Sequence, residues 1–389
     1  MVGDRFAYAG QTMATDPLSE ERIWALPPSD AIVALRPVPS EGGQAGVDDD
    51  IELFLPFSDQ PSLVLGSLPM PEVDVSLPRQ GVSRRHVSLS RRGNALWVID
   101  NESTNGTFYR GRREREFAML AGETFRVGDV ELLALDRYLL ALRPLAQWCL
   151  GYRAHRAVAE LLMLAAQDRA ILLGGAPGCD QDRLADGIHR ASARRGGPFV
   201  VYDPGAPIAS IARASKGTLF VPLRTNERLT GTKTNPEITT HVIQCLFSSD
   251  YQVRSIVSIQ HVDKLEEIFG AEAERRFQFG YVRVPSVAER AEEIPRLFDE
   301  LIQEELRAKQ ILPSAVAHGP RSIRELGPER VSALQRYHWE GNFPALRRAF
   351  VKLYARLIGG SLVEAARLLG CGHSALSNTF ERLGFPPER

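Results

Sequence analysis

The sequence predicts a multidomain chain: an N-terminal β-sandwich, a central α/β unit with a helical lid, and a C-terminal pair of short helices joined by a tight turn. Three observations predict it. From Ala31 to about Leu142, short apolar runs alternate with Gly, Pro and Asp at close spacing, the pattern of an all-β sandwich. Near Leu145 the text turns helical in HRAVAELLMLAAQ, then reads strand, glycine turn, helix in AILLGG, APGCDQ and DRLADGIHRASARR, the order of a parallel α/β sheet. From Glu289 it is mostly helical, closing with SLVEAARLLGCGHSALSNTFERLGF. The expected divisions are a loose leader over 1–29, a β domain over 30–142, an α/β domain over 150–290, a helical lid over 291–357 and a helical hairpin over 358–389.

Composition narrows the function classes. Lys and Arg number 47 against 48 Asp and Glu, so no global field favours nucleic acid or membrane. Cys149, Cys179, Cys245 and Cys371 form no CxxC pair, which argues for a reducing compartment and against structural zinc. No apolar run approaches the roughly 18 residues of a membrane span. Asp4, Asp16, Glu20 and Glu21 break any signal-peptide core. The expectation is a cytoplasmic protein with no metal, no cofactor and no membrane partner.

The β domain is assembled from runs such as AIVALRP, SLVLG, HVSLS, ALWVID and VELLALD. Three turn clusters between them are chemically rich: Gly66-Ser67, Ser83-Arg84-Arg85-His86 and Ser103-Thr104-Asn105-Gly106-Thr107. Hydroxyls, an amide and guanidinium groups together suit a phosphate, through charge-assisted hydrogen bonds. The spacing of S-x-x-H and S-T-N-G-T resembles a forkhead-associated (FHA) domain, a phosphothreonine-peptide reader. That resemblance implies that Ser83 binds phosphate with Thr104 in support, that Asn105 holds the peptide backbone, and that Gly66, His86 and Gly106 are architectural. The family carries Gly-Arg where this chain has Gly66-Ser67; Arg84, Arg85 or Arg79 are the candidates to restore the charge.

Residues Gly174–His189, GGAPGCDQDRLADGIH, follow the phosphate-loop form G-x-x-x-x-G-K-[ST] imperfectly. Gly175 and Gly178 remain, but Asp180 stands at the last glycine and Gln181 at the lysine. A carboxylate in that cradle repels a phosphate ligand, and Gln181 offers no positive charge. The central text resembles the AAA+ module of sigma-54-dependent transcriptional activators over about 150–355, in Gly217-Thr218-Leu219-Phe220, Val284-Pro285 and Tyr337-His338-Trp339-Glu340-Gly341-Asn342. The acidic pair expected after Phe220 is replaced by Pro222 and Leu223, neither of which offers the hard oxygen that magnesium needs, and the expected lid arginine falls at Pro344. Phosphoryl transfer rests on positioned charge, so a degenerate nucleotide site and no enzyme activity are expected.

In the last segment, Leu362, Ala365, Ala366, Leu369, Leu376, Phe380 and Leu383 recur at helical spacing around Gly370-Cys371-Gly372, with Ser374 as a cap for the second helix. It resembles the factor-for-inversion-stimulation type of helix-turn-helix. Ser374, Ser377, Asn378 and Arg382 are the candidate DNA contacts, Asn378 for a base edge and Arg382 for a phosphate or guanine. Residues 345–389 hold seven basic and three acidic side chains, near +4 in all. The combined expectation is a phosphothreonine-reading transcriptional regulator with an inactive AAA+-like body. Its expected partners are a phosphothreonine-containing protein, double-stranded DNA and a second copy of itself. The rival reading is a phospho-dependent scaffold without DNA or nucleotide binding; an active enhancer-binding ATPase is disfavoured by the missing charges.

Overall fold

The computed structural model describes residues 30–39, 51–56, 62–223, 252–260, 280–308 and 322–385. The leader over 1–29 and Cys245 lie outside them. The first eleven strands are β1 (Ile32–Val38), β2 (Leu53–Phe54), β3 (Leu63–Gly66), β4 (Val75–Ser76), β5 (Val87–Arg92), β6 (Ala95–Asp100), β7 (Thr107–Tyr109), β8 (Arg112–Arg113), β9 (Glu116–Met119), β10 (Thr124–Val127) and β11 (Val130–Asp136). They form two sheets, in the orders β2-β1-β11-β10-β7-β8 and β4-β3-β5-β6-β9. Alternation in β5 and β9 turns Val87, Leu89, Phe117 and Met119 inward, where they meet Leu35, Phe125 and Leu132 of the other sheet. Gly93-Asn94 joins β5 to β6 with Gly93 at φ +65°, a tight turn that fixes the register from Val87↔Asp100 to Arg92↔Ala95.

The sandwich passes into the body without a linker. β11 ends at Asp136, whose carboxylate accepts from the N–H groups of Tyr138 and Leu139 at 2.9 and 2.8 Å and so caps α1 (Arg137–Leu150). The helix therefore starts eight residues before the textual change near Leu145. The apolar run VELLALDRYLLAL hides the junction, and Pro144, which reads as a breaker, lies inside the helix. Val33, Leu133 and Leu135, on the outer face of the six-stranded sheet, share a core with Leu139 and Leu140 of α1 and Leu161 and Leu162 of α2 (His155–Ala166). This covering explains why β1 is buried on both faces. Across the same junction Glu52 lies 2.5 Å from Arg36 of β1 and 2.8 Å from Arg143 of α1, with both arginines buried and the Glu52 side chain nearly so.

The central sheet is wholly parallel. Its strands β12 (Ile171–Gly174), β13 (Phe199–Val201), β14 (Thr218–Pro222), β15 (Arg254–Ile259) and β16 (Tyr281–Arg283) lie in the order β13-β14-β15-β12-β16. β12 and β15 are buried along their whole lengths, as parallel strands covered on both faces must be. α3 (Gln181–Ala191) follows β12 and α4 (Pro207–Arg213) follows β13. Beyond β16 come α5 (Ile294–Ala308), α6 (Pro328–Arg336), α7 (Asn342–Gly359), α8 (Leu362–Leu368) and α9 (His373–Arg382). Leu346, Leu353, Leu362, Ala365, Leu376 and Phe380 join α7, α8 and α9 in the core that also holds α1 and β12. No described helix is long and apolar enough to cross a membrane.

Candidate functional site

Three loops of the sandwich converge as a cradle. A Cβ at Gly66 would lie 2.0 Å from the Arg84 carbonyl oxygen, so glycine is what lets the strand end approach the 83–86 loop. The Ser67 N–H donates to the Ser83 carbonyl at 3.0 Å. The Ser83 N–H donates to His86 Nδ1 at 2.9 Å, which leaves the ring proton on Nε2, 3.3 Å from the Gly106 carbonyl oxygen that accepts it. His86 is fully buried and bridges two of the loops. Burial lowers its pKa, opposed only in part by the Gly106 hydrogen bond and the Asp100 charge. The Ser83 hydroxyl accepts from the Thr104 N–H at 3.0 Å, which places Ser83 and Thr104 side by side at the surface. Asn105 donates from Nδ2 to the Gly81 carbonyl at 2.9 Å. It lines a cavity of about 350 Å³ with Gly81, Phe108, Arg126 and Asp129.

Two contributors escaped the sequence reading. Asp100 accepts from the Ser103 N–H and hydroxyl at 2.8 and 2.6 Å and from the Thr107 hydroxyl at 2.5 Å, tying down both ends of the 103–107 loop. Burial would raise its pKa, but these hydrogen bonds hold the carboxyl below its ordinary value. The signal was an aspartate at a strand end just before a Ser/Thr/Asn turn. The second is Arg113, whose guanidinium packs on Gly106: a Cβ there would lie 2.3 Å from Arg113 Nε. Of the cations considered for the missing arginine, Arg85 is turned aside to the Glu72 carbonyl at 3.0 Å, while Arg84 is exposed beside Ser83.

The loop after β12 is filled from within. Gln181 turns its amide back to the Gly175 carbonyl at 2.9 Å. The start of α7 closes over the turn: the Phe343 N–H donates to the Gly178 carbonyl at 3.0 Å, and Asn342 Nδ2 donates to that of Pro177 at 2.9 Å. A Cβ at Gly178 would lie 2.7 Å from the Gly341 carbonyl oxygen. Asp180, at φ +57° and buried, accepts from Arg347 at 2.9 and 2.5 Å and from Trp148 Nε1 at 2.9 Å, with Arg183 at 3.3 Å. Burial would raise its pKa; the hydrogen bonds and charge of Arg347, then Trp148 and Arg183, hold it below the ordinary value. Pro222 ends β14, and Leu223 is buried with its N–H on the Ser258 carbonyl at 2.9 Å. Pro344 is exposed, yet an arginine does reach the loop from α7: Arg347, three residues further on.

On the last two helices, Ser374, Asn378 and Arg382 are exposed on α9 and Ser377 is half-buried. α9 begins at His373 with Gly372 as its N-cap, so Ser374 lies inside the helix and is not its cap. Two of the segment's cations are ion-paired and a third is hydrogen-bonded within the fold while keeping its charge. Arg347 is bound to Asp180, Lys352 donates to the Thr379 hydroxyl at 2.7 Å, and Arg367 is paired with Glu364.

Residues 63–128 match the family model of the FHA domain, and the chain carries an FHA domain there. No curated protein matches the chain significantly. Among solved structures, NtrX from Brucella abortus in complex with ATP is similar at 17% identity and a TM-score of 0.39, covering 59% of this chain and 67% of that one. The FHA domain of the CT664 protein from Chlamydia trachomatis is similar at 24% identity and a TM-score of 0.23, over 27% of this chain and 98% of its own. Mycobacterium tuberculosis EmbR in complex with a low affinity phosphopeptide is similar at 21% identity and a TM-score of 0.21, over 27% of this chain and 24% of its own.

Proposed function

We propose that this chain is a phosphothreonine-dependent regulator that binds a phosphorylated protein through its FHA domain and duplex DNA through α8 and α9, as a homodimer, on a body that does not hydrolyse nucleotide. The carrying observation is the cradle: the Ser83 hydroxyl and Thr104 are held together by Thr104 N–H···Oγ at 3.0 Å, with the exposed Arg84 beside them. A phosphate bound there would meet hydroxyl donors, with the exposed Arg84, next to Ser83 in the chain, as the candidate cation; such a set favours a dianion. Asn105 at the rim offers an amide to a peptide backbone. The reading of the body as inactive rests on Gln181, Pro222 and Leu223, which supply neither the cation nor the carboxylates of phosphoryl transfer. It implies that ATP with magnesium leaves the melting temperature unchanged, since a ligand of the folded state must raise it.

Calorimetry with matched threonine and phosphothreonine peptides tests the first part. Binding is expected for the phosphorylated form alone, and equal affinity for both would overturn the reading. For DNA, anisotropy with specific and random duplexes is the measurement. With Arg347, Lys352 and Arg367 set aside, four of the seven basic side chains remain, so each copy makes at most about four phosphate contacts and the slope of log K against log salt is expected to be no steeper than about −4 per copy. Asn378→Ala is expected to weaken a preferred site and Arg382→Ala all duplexes. That same engagement of charge favours the second reading, a phospho-dependent scaffold; absence of binding to any duplex at low salt selects it.

A further inference from the structure

The anion site at the end of β12 is satisfied by the protein itself. We propose that Asp180 is a built-in anion: its carboxylate occupies a site formed by Arg347, Trp148 and Arg183, and so clamps the lid helix α7 to the loop with no bound ligand. The Asp180 side chain is 7% exposed and that of Arg347 33%, so the carboxylate is the buried member and the guanidinium closes over it. Both terminal guanidinium nitrogens, Nη1 and Nη2, engage, at 2.9 and 2.5 Å, in the forked geometry that a carboxylate or a phosphate accepts equally well. The guanidinium is held 5.6 Å from the Trp148 ring centroid and 5.7 Å from that of Phe343, which fixes its direction.

The backbone is built for this arrangement. Asp180 adopts φ +57°, a conformation that Asp, Asn and Gly tolerate and larger residues resist. Three elements then meet at one carboxylate: Trp148 from the end of α1, Arg183 from α3 and Arg347 from α7. α7 in turn carries α8 and α9, through their shared core and the Lys352–Thr379 hydrogen bond. An internal charge thereby adds to the shared core in holding α8 and α9 in place. When the carboxylate is removed, the class of ligand the site fits is a small oxyanion.

Hydrogen exchange on the full chain tests this. Asp180→Gly keeps the positive φ and deletes the anion. Protection over residues 342–382 is expected to fall about 10- to 100-fold, the loss typical of a charge-assisted hydrogen-bonded pair, with residues 87–100 unchanged. Inorganic phosphate is expected to restore that protection saturably in the variant and to leave the wild type unaffected. Unchanged protection in the variant, or a loss that phosphate does not reverse, overturns the proposal. Should Asp180→Gly not fold, the cycle of Asp180→Asn, Arg347→Gln and both together decides: a double loss no larger than the greater single loss supports the clamp, and additive losses overturn it.

Discussion

Two loops in this molecule carry phosphate-binding patterns at strand ends, and they treat their polar groups in opposite ways. In the sandwich, the buried His86 and the half-buried Asp100 point away from the cradle and build it. His86 spans Ser83 N–H and the Gly106 carbonyl, and Asp100 gathers Ser103 and Thr107, leaving Ser83, Thr104 and Arg84 facing outward. After β12, the loop's own residues turn inward and consume it: Gln181 binds Gly175, and Asp180 takes an arginine from 167 residues away. A glycine-bearing turn is therefore not a phosphate site by itself. What decides is whether the charges around it are spent on the fold or left for a ligand.

The comparison can be broken where it predicts the largest effect. Arg347→Ala is expected to destabilise the chain by about 2–3 kcal/mol in urea unfolding. That lies below the roughly 3–5 kcal/mol of a fully buried pair, because the arginine side chain is one-third exposed. Unchanged stability would mean that the loop is merely plugged. In the open cradle a smaller cost is expected: Ser83→Ala should weaken phosphothreonine-peptide binding by about 1–2 kcal/mol, about 5- to 30-fold, with folding intact. Ser67→Arg should strengthen it, since it returns a cation to the strand end; calorimetry that shows no gain would mean Arg84 already suffices.

The smallest effect sharpens the role of His86. Its pKa is lowered by burial, so the unfolded chain takes up a proton near the ordinary value of about 6.5 while the folded imidazole resists until lower pH. Stability is then complete above about pH 6.5 and declines as pH falls toward the folded pKa. His189 is shifted the same way. His86→Gln should therefore flatten the decline in part, read by denaturant unfolding between pH 7 and 5. An unaltered slope would show that the imidazole titrates as freely as in the unfolded chain.

How far the sequence carried this account depended on range. The sandwich was legible because its signals are local: alternation, turn residues, and Ser83 with His86 only three residues apart. Gly66 and Gly106 were legible as architectural glycines, and their packing against Arg84 and Arg113 gives the reason. The substitutions at Asp180 and Gln181 were legible as departures, but not what the residues do instead, because Arg347 and Trp148 approach from remote elements. Arg347 counts with the basic charge of the last helices in one dimension, where a charge count cannot see a side chain turned inward. The start of α1 was hidden because Asp136 ends a strand and caps a helix in the same stride.

That stride at Asp136 has a consequence for geometry. A flexible tether would let the FHA domain sample many orientations, and its benefit to a second binding event would depend on linker length. Here β11 runs straight into α1, Glu52 staples Arg36 to Arg143, and the turn at Gly122 packs so tightly on α2 that a Cβ there would lie 2.1 Å from Ala166 Cβ. The junction works as a ruler. A partner held on the sandwich loops would meet the rest of the chain over a narrow range of orientations, and a second contact would gain most where its geometry matches that range.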